Sequence, residues 1–249
     1  MGDYEKNGQQ AEVFVSVEIR QRLKTLTEVT DIAPPENLNA TLRPYQARGF
    51  AWLMKNLRLG IGALIADDMG LGKTLQVIAT LLQLKNDGEL NKTKALVVVP
   101  TTLMTNWQRE IAKFAPELSV GVYHGSNRVL PEAVKDLPDV TLTTYGLMRR
   151  ETEKLAGYKW RLLVLDEAQA VKNAASGQSV AAKSIKATQT IAMTGTPVEN
   201  RLSEYWSILE TVQPRLLGSL KDFTETFATP IETDHSEAVA EAFRRLTAP

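Results

Sequence analysis

Six apolar runs of strand length punctuate the chain: IGALIA at 61–66, ALVVVP at 95–100, LSVGVY at 118–123, DVTLTTY at 139–145, RLLVLDE at 161–167 and TQTIAMTG at 188–195. They are continuous rather than alternating, the pattern of strands covered on both faces. Helical patterns lie between several of them, at 71–84, 104–114 and 174–185. This repetition predicts a doubly wound α/β domain, a mostly parallel sheet with helices on both faces. In such sheets ligands bind beyond the carboxyl ends of the strands, so the residues after each run matter most. Ahead of the first run, APPENLNATLRP at 33–44 reads as a linker, since prolines disfavour helix in the residues before them. AEVFVSVEIRQRLKTLTEVT at 11–30 predicts a short strand and a helix. Residues 1–35 are therefore expected to form a poorly defined tail, and 36–249 one domain. After Glu199 the pattern turns helical and no closing strand follows.

Composition narrows the chemistry. The 249 residues carry 29 basic and 29 acidic side chains, so any nucleic-acid surface must be a local patch. There is no cysteine, which excludes disulfides and thiolate metal sites. The two histidines, His124 and His235, are too far apart in sequence to suggest a metal centre. No apolar run approaches the ~18 residues of a membrane span. The polar start lacks a signal-peptide core, so a soluble intracellular protein is expected.

Two strand ends carry pointed chemistry. ADDMGLGKT, at 66–74, has the strand–glycine turn–helix context of a phosphate-binding loop, with Asp67 where the usual pattern has its first glycine. Gly70 and Gly72 let backbone N–H groups turn inward around phosphate oxygens, and the helix start adds its positive end. Lys73 would neutralise the β- and γ-phosphates, and Thr74 would offer a hydroxyl to Mg²⁺. The predicted nucleotide-contacting stretch is Asp67, Met69, Gly70, Leu71, Gly72, Lys73, Thr74 and Leu75. Farther along, LLVLDEAQ ends a strand in Asp166 and Glu167. A carboxylate there suits a Mg²⁺ shared with substrate phosphates, and Glu167 is suited to orient or deprotonate a water.

Three more stretches separate the kinds of nucleotide enzyme: TLRPYQARGFAWL, LVVVPTTLMTNWQREIAKF and IAMTGTPVENRLSEYW. Together with VYHG, TTYG, DEAQ and VKN, and in this order from about Leu42 onward, they resemble the Swi/Snf-like branch of the superfamily-two helicases, the DNA-translocating chromatin-remodeller ATPases. The resemblance implies a RecA-like P-loop domain, ATP and Mg²⁺ as cofactors, and double-stranded DNA as partner. It makes Gln46 the adenine-reading glutamine, and Thr194, Gly195 and Thr196 the segment coupling the ATP site to DNA. Thr101, Thr102 and Trp107, then Thr143, Thr144 and Tyr145, fall where the family holds the DNA backbone, a contact that positions without reading sequence. Arg149, Arg150, Lys154, Lys159 and Arg161 follow as a basic stretch suited to phosphates. The blander alternatives are a core Trp107, a plain strand residue at Thr143 and a solvated face around Arg149.

Two positions depart from the family pattern. Gln169 stands where His is common, and Asp68 replaces Glu. The resemblance also implies a second RecA-like lobe that supplies arginines across the cleft. None is evident here, so this chain is expected to be the first lobe, with weak ATP binding and slow or absent turnover. Two rival readings stay open: a DNA- or protein-binding module with a vestigial nucleotide site, and a small-metabolite kinase, in which the Gln46 and Thr194 stretches have no task. GLMRRETEKLAGYKWR and the amino-terminal tail are possible protein-binding segments without a specific signature.

Overall fold

The computed structural model describes residues 5–6, 9–10, 32–68, 70–195 and 201–247. The chain divides into two units, Met1–Asp31 and Ile32–Pro249. In the first, Glu5–Lys6 pairs antiparallel with Gln9–Gln10. The strand and helix expected over 11–30 lie outside the described residues.

The second unit is built on one sheet. Its strands are β1 (Ala63–Ile65), β2 (Lys94–Val99), β3 (Val120–Val122), β4 (Val140–Thr144), β5 (Trp160–Leu165) and β6 (Ala187–Met193). Each matches a predicted run to within a residue or two at its ends. All neighbours pair in parallel, in the order β1-β6-β5-β2-β4-β3. The helices that follow are α1 (Pro44–Arg58), α2 (Lys73–Asn86), α3 (Met104–Phe114), α4 (Tyr145–Arg150), α5 (Thr152–Ala156), α6 (Gly177–Ser184) and α7 (Leu202–Val212), with short helices on to Thr247.

Two boundaries differ from the sequence expectation for local reasons. Pro44, read as the end of a linker, opens α1. A proline lacks only an N–H that the first turn leaves unpaired anyway. α6 starts later than the apolar pattern suggested because the Ser176 hydroxyl caps it, accepting the Ser179 N–H at 3.1 Å.

Alternation along the buried strands makes the two cores. Val97, Val99, Leu162, Val164, Ile191 and Met193 face α1, α2 and α3, packing on Phe50, Leu53, Val77, Ile78, Leu81 and Ile111. Their sequence neighbours Leu96, Val98, Leu163, Leu165 and Ala192 face the opposite layer, with Met148, Ala181, Ile208 and Val212. A third cluster, around Trp206, Leu217, Phe223 and Phe243, sits under the carboxyl-terminal helices. Burial on both sides explains the continuous runs of β2, β4 and β5, whereas β3, at the sheet edge, is only partly covered.

At the amino ends of the strands, Asp139 staples three elements. Its carboxylate accepts from Lys85 of α2 (2.7 Å), Lys94 of β2 (3.2 Å) and the Ser119 hydroxyl (2.8 Å). Burial alone would push its pKa up. The donors, Lys85 and Ser119 foremost, outweigh that and bring it down to about 2 from 3.8. A depressed carboxylate contributes stability that is full above its unfolded pKa and is lost as pH falls through the folded value. Replacing Asp139 by Asn is expected to cost about 2 kcal/mol at pH 7, with the gap to the unmodified chain narrowing between pH 5 and pH 2. Urea unfolding across that range measures it, and a gap independent of pH would refute the staple.

Candidate nucleotide site

The strand order decides what meets at the carboxyl edge. β1 runs into the glycine loop, β6 into Thr194, β5 into Asp166, β2 into Thr101 and β4 into Tyr145. One rim therefore collects most of the residues singled out in the sequence. Backbone bonds fix their heights: Thr194 N–H donates to Ile65 C=O at 3.0 Å, and Asp166 N–H to Val98 C=O at 2.9 Å.

The loop turns at Gly70 (φ +83°) and Gly72 (φ +75°), left-handed conformations that a side chain disfavours. Gly72 also lies so close to Gln46 that a Cβ there would meet its Nε2 at 2.3 Å. Gly72 is the N-cap of α2, and no side chain caps that helix. Its first N–H groups thus keep their positive end for an anion. Lys73 Nζ donates to Asp67 C=O (2.7 Å) and Asp68 C=O (2.8 Å), so it is folded back on its own loop. Met69 lies outside the described residues.

A cleft of about 380 Å³ is lined by Gly70, Gly72, Lys73, Thr74, Leu75, Asp166 and Glu167. Lys73 and Asp166 face the same space. The far wall comes from α3, through Asn106, Glu110 and Phe114. The sequence reading missed these three; only the helical spacing of Asn106 and Glu110, joined by a 2.9 Å bond, hints at a shared face.

Asp166 is 8% exposed. Its Oδ2 accepts the Trp107 indole N–H at 2.7 Å, its Oδ1 the Glu167 N–H at 3.0 Å, and its main-chain oxygen the Tyr145 hydroxyl at 2.7 Å. Burial raises its pKa, opposed by the Trp107 bond; the Glu167 charge adds to the rise and Lys73 acts against it. The Tyr145 hydroxyl is raised well above its usual value, by burial and then by the Asp166 and Glu167 charges. Glu167 itself has φ +51°, a left-handed conformation uncommon for a residue with a side chain. Its Oε2 accepts Gln169 Nε2 at 2.9 Å, and Gln169 Oε1 accepts the Thr194 hydroxyl at 3.0 Å. An unbroken chain of hydrogen bonds runs from Glu167 to Thr194. Gly195 follows directly, and Thr196 lies outside the described residues.

Gln46 caps α1, its Oε1 accepting the Arg43 N–H at 2.9 Å, and its Nε2 donates to Leu71 C=O at 3.3 Å. Each end of the amide makes one bond to the protein and keeps one further donor or acceptor position.

Among the described residues no group of three or more His, Cys, Asp or Glu could hold a metal ion alone. The Thr74 hydroxyl and the Asp166 carboxylate nonetheless line one cleft beside the phosphate loop. That donor set fits Mg²⁺, which binds through one or two carboxylates, water and substrate phosphates rather than a protein cage.

The expected DNA-facing residues divide. Thr101, Thr102, Arg149, Arg150, Lys154 and Lys159 are exposed. Thr143, Thr144 and Tyr145 are buried, which corrects the expectation that their side chains reach phosphate. The Thr143 hydroxyl donates to Tyr123 C=O (3.0 Å), that of Thr144 accepts the Leu147 N–H (3.4 Å), and that of Tyr145 is on Asp166. Trp107 is buried as well, and its polar edge belongs to the carboxylate. Arg161 is at the other end of β5, paired with Glu89 and Gln189, and takes no part in a basic track.

The SNF2-related domain model matches residues 45–249. The chain is 41% identical over 243 residues to a putative ATP-dependent helicase/translocase of Bacillus subtilis, covering 94% of this chain and 26% of that protein. It is 35% identical over 214 residues to a chromatin-remodeling ATPase of Cryptococcus neoformans, covering 81% of this chain and 12% of that protein. The chain thus spans about a quarter or less of these relatives. The Sulfolobus solfataricus SWI2/SNF2 ATPase core in complex with dsDNA superposes with a TM-score of 0.79 at 39% identity, over 88% of this chain and 45% of that one. The sheet order, the glycine loop facing Asp166 and the matched span agree on a RecA-like lobe, and the chain belongs to the SNF2-related domain family.

Proposed function

We propose that this chain is the first motor lobe of a DNA-dependent ATPase that translocates along duplex DNA. The observation that carries the reading is the single cleft shared by Lys73, Thr74, Asp166 and Glu167, with Glu167 wired through Gln169 to Thr194. The Sulfolobus relative, a SWI2/SNF2 ATPase core solved with dsDNA, supports duplex DNA as the partner.

In this reading Lys73 leaves the Asp67 and Asp68 carbonyls for phosphate oxygens, and the free N–H groups at the start of α2 hold the same anion. Thr74 and Asp166 hold Mg²⁺. When bound, that ion offsets charge developing on the transferred phosphoryl group. Glu167 orients the attacking water and takes its proton. Gln46 reads adenine, whose edge an amide can both donate to and accept from. Thr101, Thr102 and Arg149 touch the DNA backbone, and Thr194 with Gly195 and Thr196 passes nucleotide state to that surface through Gln169. A second RecA-like lobe across the cleft supplies arginines, a contribution of roughly 10³–10⁵ in rate in other phosphoryl-transfer enzymes. ATP binding and turnover are expected to be strongest where both lobes enclose the nucleotide.

Calorimetric titration of Mg·ATP into the chain tests the site. Lys73→Ala is expected to abolish the binding heat, and Glu167→Gln to keep it. In the two-lobe motor Glu167→Gln lowers turnover by roughly 10²–10⁴-fold. Silence of the unmodified chain up to millimolar ATP would favour a module with a vestigial site, and equal turnover with and without duplex DNA would end the translocase reading.

The relay has its own test. Gln169→Ala and Thr194→Val, combined in the two-lobe motor, are expected to be non-additive in DNA-stimulated turnover by about 1 kcal/mol. Full additivity would mean the two residues act independently.

A further inference from the structure

The Trp107 indole is buried in the layer formed by α2 and α3, 1% exposed, and its N–H reaches a residue 59 positions away. A tryptophan used only to fill a core gains nothing from that N–H; placed inside, it must find an acceptor. Here the acceptor is the Asp166 carboxylate. Carboxylate torsions are broad and two-fold, so a lone aspartate at a strand end has little to fix its plane. Two donors fix this one, the indole on Oδ2 and the Glu167 N–H on Oδ1. The Tyr145 hydroxyl holds the main chain of the same residue. The helix that carries Trp107 also lends Asn106 and Glu110 to the cleft wall.

We infer that Trp107 is a positioning residue for Asp166: its indole N–H holds one carboxylate oxygen so that the side chain presents a fixed orientation to the cleft before nucleotide arrives. The inference rests on the nucleotide reading above, in which Asp166 and Thr74 hold Mg²⁺. Trp107 touches neither ion nor nucleotide. Outer-shell donors of this kind are typically worth 10–100-fold in metal affinity.

The test uses a fluorescent ATP analogue, with Kd measured in excess EDTA and in excess Mg²⁺. Trp107→Phe keeps an aromatic ring in the core and deletes the N–H. Its Kd in EDTA is expected to equal that of the unmodified chain, while the tightening produced by Mg²⁺ shrinks about tenfold. In an Asp166→Ala background the same substitution is expected to change nothing further. A packing role would shift both Kd values, or would add its effect in the Asp166→Ala background. Either result overturns the inference, as does an unchanged Mg²⁺ response in Trp107→Phe. If the unmodified chain shows no Mg²⁺-dependent tightening, the metal reading fails and takes the inference with it. Should Trp107→Phe not fold, the indole N–H resonance of the unmodified chain decides. It is expected to shift with Mg²⁺ and nucleotide together but not with nucleotide alone, and a signal that stays fixed in both refutes the assignment.

Discussion

The Asp166 carboxylate is where the sheet, the phosphate loop and α3 meet. β5 delivers it, a main-chain bond to Val98 sets its height, Trp107 and the Glu167 N–H hold its two oxygens, and the Tyr145 hydroxyl holds the main-chain oxygen of the same residue. Because β6 is the only strand between β1 and β5, the glycine loop opens toward this carboxylate, with Thr194 between them. The left-handed turn at Glu167 follows from the same constraint. The chain must leave the strand at once, and it does so in a conformation that lets the Glu167 side chain meet Gln169.

The charges at this rim suit an anion that carries a cation with it. Lys73 donates to two carbonyls of its own loop, α2 has no capping side chain, and burial works against ionisation of Asp166. Each of these favours an anion with a bound cation: an ammonium and helix-end N–H groups on one side, a carboxylate on the other. A bound cation reverses the local effect of burial on a carboxylate. Glycine at 70 and 72 matters for the same reason, since left-handed turns aim the N–H groups inward.

Gln169 is the informative departure from the family pattern. An amide donates from one end and accepts at the other, which is what the bonds to Glu167 and Thr194 require. An imidazole can do the same only as the neutral tautomer. An amide does not titrate, so the Gln169 link between Glu167 and Thr194 adds no protonation step of its own. The substitution therefore preserves the wiring and removes one source of pH dependence.

The central strands were legible because burial on both faces demands uninterrupted apolar runs, a local property. α2 and α3 were legible from their helical spacing, and the glycine loop and the acid at a strand end from residue types that the chemistry requires wherever they occur. α1 was harder, because Pro44 is read equally well as a breaker or as a first helical residue, and only the packing of Phe50 and Leu53 on the sheet chooses. Which of the hydroxyls expected to face DNA are exposed was not legible. Thr101 and Thr143 look alike in a string of letters; one ends on the surface and the other inside, where its hydroxyl is used by Tyr123. Arg161 was grouped with the basic stretch for the same reason, whereas the core alternative for Trp107 agrees with its burial. What the sequence by itself determined was the set of chemical groups and the strand ends that carry them, since these depend on residue type and short-range pattern. Tertiary structure alone decided which of those groups share a cleft, which hydroxyls are spent inside and which donor holds Asp166. Those outcomes depend on strand order and on contacts between residues far apart in the chain, and no local pattern encodes either.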